Sequence, residues 1–400
     1  MFPDVKCDPV PYTDPWVASY DQRLRALVRR SRHIAYVYEI PEASSFRYRV
    51  FNMVEALEAA AGLDISAAWF TQADLRGDLR FVDRADAIVI CRTRYDHDVA
   101  RLLARANARG IRVVFDIDDL VFNSDYVPLV AHTLDRRRPT DEDWNYLFGY
   151  VSRLGATLKS CDAVIAATAP LAECVRAFSG NDDVTVLPNF LNRRQVEISQ
   201  TLIARKRHGG YRREAPLVIG YFSGSPTHNR DLQVAAPALA QILAKHAEVL
   251  LRIVGYIELN EVLDPFRSQI DLVEVQDFVN LQRVIAEGEL NIVPLQSNVF
   301  TDCKSELKYF EAAAVGVVTI ASPTTPLIKV ITDGVNGYIA RPHEWEAKIA
   351  AVIEMLQAEP TAYQLVAEEA AEDALSRYGW DRQARSIEAA VFGGAAGSSG

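Results

Sequence analysis

The chain has 400 residues, 49% of them hydrophobic and 24% charged, with a formal net charge of −10 and a pI near 5.3. That composition describes a folded globular chain long enough for two domains with separate cores, and it excludes disordered and collagen-like classes. The acidic balance argues against nucleic acid as a partner, since neutralising phosphates needs a concentrated basic surface, and favours a small molecule.

Five cysteines, at 7, 91, 161, 174 and 303, form no CxxC pair and no zinc spacing, and their odd number suits reduced thiols in a cytoplasmic protein. The first thirty residues carry Pro3, Pro9, Pro11 and Pro15 but no apolar signal core, and nowhere do about eighteen apolar residues run together. The expectation is a chain with neither a secretion signal nor a membrane span.

The first amphipathic stretch, "WVASYDQRLRALVRRSRH", sets Trp16, Tyr20, Leu24, Leu27 and Val28 near one face with five arginines around it. Packing on its own domain is the first reading, because a surface helix of a globular protein carries such a stripe. Peripheral contact with the anionic inner membrane surface is the second. Short apolar runs follow: "HIAYVYE", "DISAAWF", "DAIVIC", "RVVFDID", "DAVIAAT" and "VTVLPN". Such runs suit buried parallel strands. Helical patterns between them finish at Gly62 and Gly110, a usual place for a left-handed C-terminal residue. In "PEASSFRYRVFNM", Ser45, Arg47 and Arg49 open a helix that could meet an anionic or polyhydroxylated acceptor, though Ser44 or Ser45 could equally be its cap. His132, after "VPLVA", is the first-half histidine placed nearest an acceptor.

A polar, basic stretch with Gly209-Gly210 separates the halves, giving a first domain at 1–195, a linker at 196–215 and a second domain at 216–378. The alternation restarts with "LVIGYFS", "VLLRIVG", "IDLVEV", "LNIVPL", "VVTIAS" and "GYIA". A last helix, 379–392, is expected to cross back to the first domain, and 393–400 is too small and polar to pack.

In open parallel sheets ligands sit beyond the carboxyl ends of strands. There the second half offers Ser223, Gly224, Ser225, His228 and Arg230 in "SGSPTHNRD", whose turn would aim backbone amides at an anion, and Gly255 closing "RIVG". Further on stand Phe278, starting a short helix, and Lys304, Lys308 and Glu311 at i, i+4 and i+7, the spacing of one helical face. Thr324 and Thr325 start a helix with Pro326 at its first position.

On these residues a resemblance rests. "EAAAVGVVTIASPTTPLIKVITDGVNGYIA", with "RIVGYIE", "VEVQDFV" and "AEGELNIVPL" before it, resembles the donor-site half of GT-B glycosyltransferases of family 4, and "DAVIAATAPLAECVRAF" with "VTVLPNF" resembles the end of that family's first domain. The resemblance implies an α/β chain of two Rossmann-like doubly wound domains facing across a cleft. It implies retaining transfer of a hexosyl or deoxyhexosyl group from a nucleoside-diphosphate sugar to a glycan or lipid-linked glycan, in the cytoplasm, without a metal or other cofactor, as in bacterial surface polysaccharide assembly. The donor would contact Ser223, Gly224, Ser225, His228, Arg230, Gly255, Phe278, Lys304, Lys308, Glu311, Thr324 and Thr325. The acceptor would meet Ser45, Arg47, Arg49 and His132. Lys304, Asp118 and Asp119 would be catalytic.

Two departures stand out. The family's first glutamate falls on Cys303, and a later one on Lys329. "FDIDDLVF", with Asp116, Asp118 and Asp119, also resembles the Asp-x-Asp of metal-dependent GT-A transferases, an alternative in which the carboxylates hold a divalent ion. A nicotinamide oxidoreductase is disfavoured, because neither half opens with GxGxxG, and the missing acid leaves a catalytically silent scaffold as a further rival.

Overall fold

The computed structural model describes residues 1–133, 139–223, 229–255 and 259–393. Gly224, Ser225 and His228 lie outside the described residues, as do residues 394–400 of the tail. All twelve expected runs are strands, arranged in two parallel six-stranded sheets. The first sheet holds β1 (Arg32–Tyr38), β2 (Ile65–Thr71), β3 (Ala87–Cys91), β4 (Arg112–Ile117), β5 (Ala163–Ala166) and β6 (Val184–Val186), in the order β2-β1-β3-β4-β5-β6. The second holds β7 (Leu217–Ser223), β8 (Val249–Gly255), β9 (Ile270–Val273), β10 (Leu290–Val293), β11 (Val318–Ala321) and β12 (Tyr338–Ile339), in the order β12-β11-β10-β7-β8-β9. Helices pack on the sheets, so the central strands β3, β5, β7, β10 and β11 are buried along their whole length rather than alternating, while β6, β9 and β12 are partly exposed. The strand order reverses between β1 and β3 in one sheet and between β7 and β10 in the other, and those switch points open a crevice for ligands.

Between the sheets the stretch 196–215 is helical for most of its length. Asn192 caps the helix Arg193–His208 in a reciprocal box with Gln195, Leu202 and Ile203 are buried, and Arg205, Lys206, Arg207 and His208 complement the dipole of its last turn. At the start of the chain Phe2 and Val5 pack into the core of the second sheet, Phe2 standing edge-on to Tyr211 at 5.8 Å. The helix Ala384–Phe392 returns to the first sheet, where Glu388 pairs with Arg32 at 2.5 Å and the Val391 carbonyl accepts from Arg112. One apolar cluster runs through both halves from Ile34 and Tyr36 to Phe278, Phe310 and Tyr378, and a second joins Phe300 and Cys303 to the first sheet.

The amphipathic N-terminal stretch packs most of its apolar stripe on the protein itself, Trp16 in the first of these clusters and Tyr20, Leu24 and Leu27 in the second, while Val28, expected on the same face, is exposed. Ser19 caps the helix Tyr20–Leu27, Leu27 is fully buried, and Trp16 packs among Phe46, Phe51 and Phe278. Arg23 pairs with Asp74 at 2.7 Å, and Arg30 donates to the carbonyls of Leu57, Glu58, Ala60, Leu63 and Ile65. Among the described residues no helix is long and apolar enough to cross a membrane. Gly110 takes the expected left-handed conformation (φ 66°), whereas the helix before Gly62 stops earlier, at Ala59.

Candidate functional site

Just past β3, Arg92 holds a left-handed backbone conformation (φ 41°), which a side chain with a Cβ adopts only when its surroundings fix it. Its guanidinium does so, reaching Asp118 at 2.8 Å, Asp119 at 3.1 Å, Ser45 Oγ at 2.9 Å and the Tyr150 hydroxyl at 3.2 Å. Two residues on, Arg94 makes a two-pronged pair with Glu39 at 2.7 and 2.8 Å, spanning the switch point between β1 and β3. Below them Arg49, with 0% exposure, grips both oxygens of Asp116 at 2.7 and 2.9 Å and donates to the Leu187 carbonyl and to Asn189. The carboxyl rim of the first sheet therefore neutralises its own charge.

Among the described residues of the second rim one buried lysine has no such partner. Lys308, on the helix Leu307–Ala313, sets its ammonium 5.0 Å from the Tyr221 ring of β7, and its Nζ is buried without a hydrogen-bond partner among the described residues. Asn291 of β10 donates to the Lys308 carbonyl at 3.0 Å, fixing this helix over the switch point between β7 and β10. Burial pushes the Lys308 pKa down from its ordinary value to about 8, although the charge of Asp231 opposes the shift. Ala312, Ala313 and Ala314 are fully buried behind it, so small side chains let the helix lie close on the sheet.

Residues 216–358, the second sheet with its helices, match the family model described as glycosyl transferases group 1. The whole chain is similar in architecture to HepE from Anabaena, solved in complex with UDP, with a TM-score of 0.58 and 12% identity over 89% of this chain and 98% of that one. Sucrose-phosphate synthase from Thermosynechococcus elongatus gives a TM-score of 0.57 and 15% identity over 89% and 97%. WaaG, a glycosyltransferase involved in lipopolysaccharide biosynthesis, gives 0.56 and 12% over 90% and 100%. No curated protein matches the sequence. The fold is GT-B.

Within the GT-B cleft the expected residues divide. Lys304 is not on the face shared by Lys308 and Glu311. The box of Asn298 and Thr301 opens a short helix, Val299–Asp302, the next helix begins at Leu307, and Lys304 sits in the turn between them, its ammonium 4.8 Å from the Phe300 ring. Tertiary contacts make that turn: Asn189 donates to Ser305 Oγ at 3.0 Å, and Tyr378 donates to buried Glu306 at 2.9 Å. Burial raises the Glu306 pKa.

Glu311 faces the seam between the lobes, where it accepts from the Tyr48 hydroxyl, from Gln195 at 3.1 Å and from Arg47 at 3.5 Å. Arg47 therefore serves the second lobe rather than an exposed acceptor surface, and Arg49, buried against Asp116, cannot meet an acceptor. Both corrections follow from the π-helical turn Arg47–Phe51, which swings these side chains inward. The cap before it is neither Ser44 nor Ser45 but Glu42, which accepts from the Phe46 amide at 2.7 Å.

Phe278 is buried beside Tyr12, Trp16 and Arg47 rather than open to a ligand. The Thr325 amide and hydroxyl are both taken by Asp302, at 2.6 and 3.0 Å, so that helix start carries a carboxylate where an anion was expected. Thr324 Oγ1 is buried without a partner among the described residues. Gly255 (φ 108°) has a steric task, since a Cβ there would lie 1.7 Å from the Ser223 carbonyl oxygen. Arg230 and His132 meet across the cleft, the guanidinium lying 2.7 and 2.9 Å from the two ring nitrogens.

The three aspartates of the GT-A-like motif are paired with arginine, Asp116 with Arg49 and the other two with Arg92. Among the described residues no group of three His, Cys, Asp or Glu side chains is placed to hold a metal. Arg92, Tyr48 and Gln195 were not expected. Arg92 follows β3 directly, so the rule applied to the second half would have found it. Nothing local marks Tyr48 or Gln195, whose roles arise only when the lobes meet.

Proposed function

We propose that this chain is a retaining glycosyltransferase that moves a hexosyl or deoxyhexosyl group from a nucleoside-diphosphate sugar to a glycan or lipid-linked glycan in the cytoplasm, serving surface polysaccharide assembly. The observation that carries this is the buried Lys308 ammonium at the switch point of the second sheet, within the stretch matched by the glycosyltransferase model. A buried cation without a hydrogen-bonding anion is costly, and a diphosphate would compensate it. That HepE was solved with UDP supports the same choice of ligand.

In this reading residues 1–195 take the acceptor and 216–378 the donor, with 196–215 between them. Lys308 and Lys304 stabilise the charge that develops on the departing nucleoside diphosphate. Glu311 clasps the ribose once Tyr48 and Arg47 release it. Asp118 and Asp119, held by Arg92, accept hydrogen bonds from the acceptor hydroxyl and orient it. Because Arg92 offsets their charge, this rim suits a neutral polyhydroxylated acceptor better than an anionic one.

The test is a mass-spectrometric screen of nucleotide sugars with mixed glycan acceptors. Transfer, or slow donor hydrolysis to a nucleoside diphosphate, is expected with at least one donor. Binding without turnover across the whole set would support the silent scaffold instead.

A further inference from the structure

The position where the resembling family carries its first acid is occupied here by a thiol, and that thiol has a partner. Cys303 Sγ lies 3.8 Å from Cys174 Sγ. The two sulfurs come from different lobes: Cys174 from the helix Ala169–Ser179 after β5, Cys303 from the turn that follows Val299–Asp302. The contact is held from both sides. Thr168, the cap of the Cys174 helix, donates its hydroxyl to the Cys303 carbonyl at 2.9 Å, and Phe300 and Cys303 are built into the apolar core of the first lobe. The remaining thiols have other neighbours: Cys7 beside Arg283, Cys91 beside Asp116, and Cys161 against the Thr157 carbonyl.

We propose that Cys174 and Cys303 form a reversible disulfide on exposure to hydrogen peroxide, tying the two lobes together at the spacing seen here. Disulfide sulfurs lie about 2.05 Å apart, so closing the gap takes a shift of just under ~2 Å, within reach of side-chain rotation at two thiols already in contact. Half-buried Cys174 is the point of entry and buried Cys303 the resolving thiol. The hydrogen bond from Cys303 holds the Cys174 thiol below its ordinary pKa, while the same bond, with burial, pushes Cys303 up.

The Cys174 thiolate attacks one peroxide oxygen, breaking the O–O bond and giving a sulfenic acid; the hydroxide released takes a proton and leaves as water. Cys303 sulfur then attacks Cys174 sulfur, the S–O bond breaks, and the second hydroxide leaves as water with the Cys303 proton. Two thiols and one peroxide thus give one disulfide and two waters, with two electrons passing from sulfur to oxygen. Such bonds in a reducing compartment are transient and signal oxidation. The bond would fix the turn that carries Lys304 to the opposite lobe. None of this depends on which sugar, if any, is transferred.

The test treats the full chain with peroxide, alkylates the remaining thiols, and maps peptides by mass spectrometry without reduction. A linked pair containing Cys174 and Cys303 is expected, several-fold more abundant than any other pair, removed by dithiothreitol and absent from Cys174→Ser. The urea midpoint should rise on oxidation and fall back on reduction. Sulfinic acid at Cys174 with Cys303 still free to alkylate would overturn the proposal. So would a midpoint that drops on oxidation, since the bond would then strain the arrangement it is said to fit.

Discussion

The two carboxyl rims come from sheets of the same design, yet they treat charge in opposite ways. In the first lobe each rim arginine has a carboxylate partner: Arg49 with Asp116, Arg92 with Asp118 and Asp119, Arg94 with Glu39. In the second lobe Lys304 and Lys308 have no carboxylate within ion-pair distance among the described residues, and Lys308 is buried as well. A paired rim is built for stability and orientation. An unpaired buried cation lowers stability unless something negative arrives. The same residue class is thus ion-paired on one side of the cleft and, among the described residues, left without a carboxylate on the other, which is what the proposed donor site requires.

Substitution separates the two roles. The largest effect is expected at Lys304, where Ala should lower turnover roughly a hundredfold to thousandfold, as loss of one preorganised donor does. Unchanged turnover with an identified donor would remove Lys304 from the chemistry. Arg49→Ala leaves Asp116 buried and unpaired, and should cost about 3–5 kcal/mol in urea unfolding. Lys308→Met should do the opposite, holding or raising the urea midpoint while weakening UDP by roughly tenfold to a hundredfold, the worth of a charged hydrogen bond. A Lys308→Met protein as destabilised as Arg49→Ala would erase the contrast between the rims. The smallest effect belongs to Tyr48→Phe, which frees Glu311 from one competing hydroxyl and should tighten UDP by roughly two- to tenfold in calorimetry.

The sheets were legible because a parallel strand covered on both faces is an unbroken apolar run, and every such run became a strand. Lys308 was legible because it lies on a helix following such a run. What the sequence hid is what the lobes do to each other. The pattern from Lys304 to Glu311 reads as one helix, yet the cross-lobe contacts of Ser305 and of Cys303 break it. Arg49 looks like an exposed helix-start arginine until Asp116, 67 residues away, is beside it. Thr325 reads as an open helix start, and only the fold brings Asp302 onto it. Local periodicity carries no information about such partners, because they are chosen by chain path rather than by spacing.

Proton uptake tests the unpaired lysine whatever the sugar or acceptor. Burial lowers Lys308 from 10.5 to about 8, so without ligand its charge is largely absent near pH 9, and stability falls as pH drops from about 10.5 to about 8 and then levels off. A bound diphosphate raises the pKa again, so binding takes up a proton above about pH 8 and affinity strengthens as pH falls toward 8, then levels off. Calorimetry of UDP in two buffers of different ionisation enthalpy, near pH 9 and near pH 7, should show uptake at the higher pH, little at the lower, and none at either in Lys308→Met. Tight UDP binding with the same proton count in both proteins would place the diphosphate away from Lys308 and contradict this assignment of the donor site.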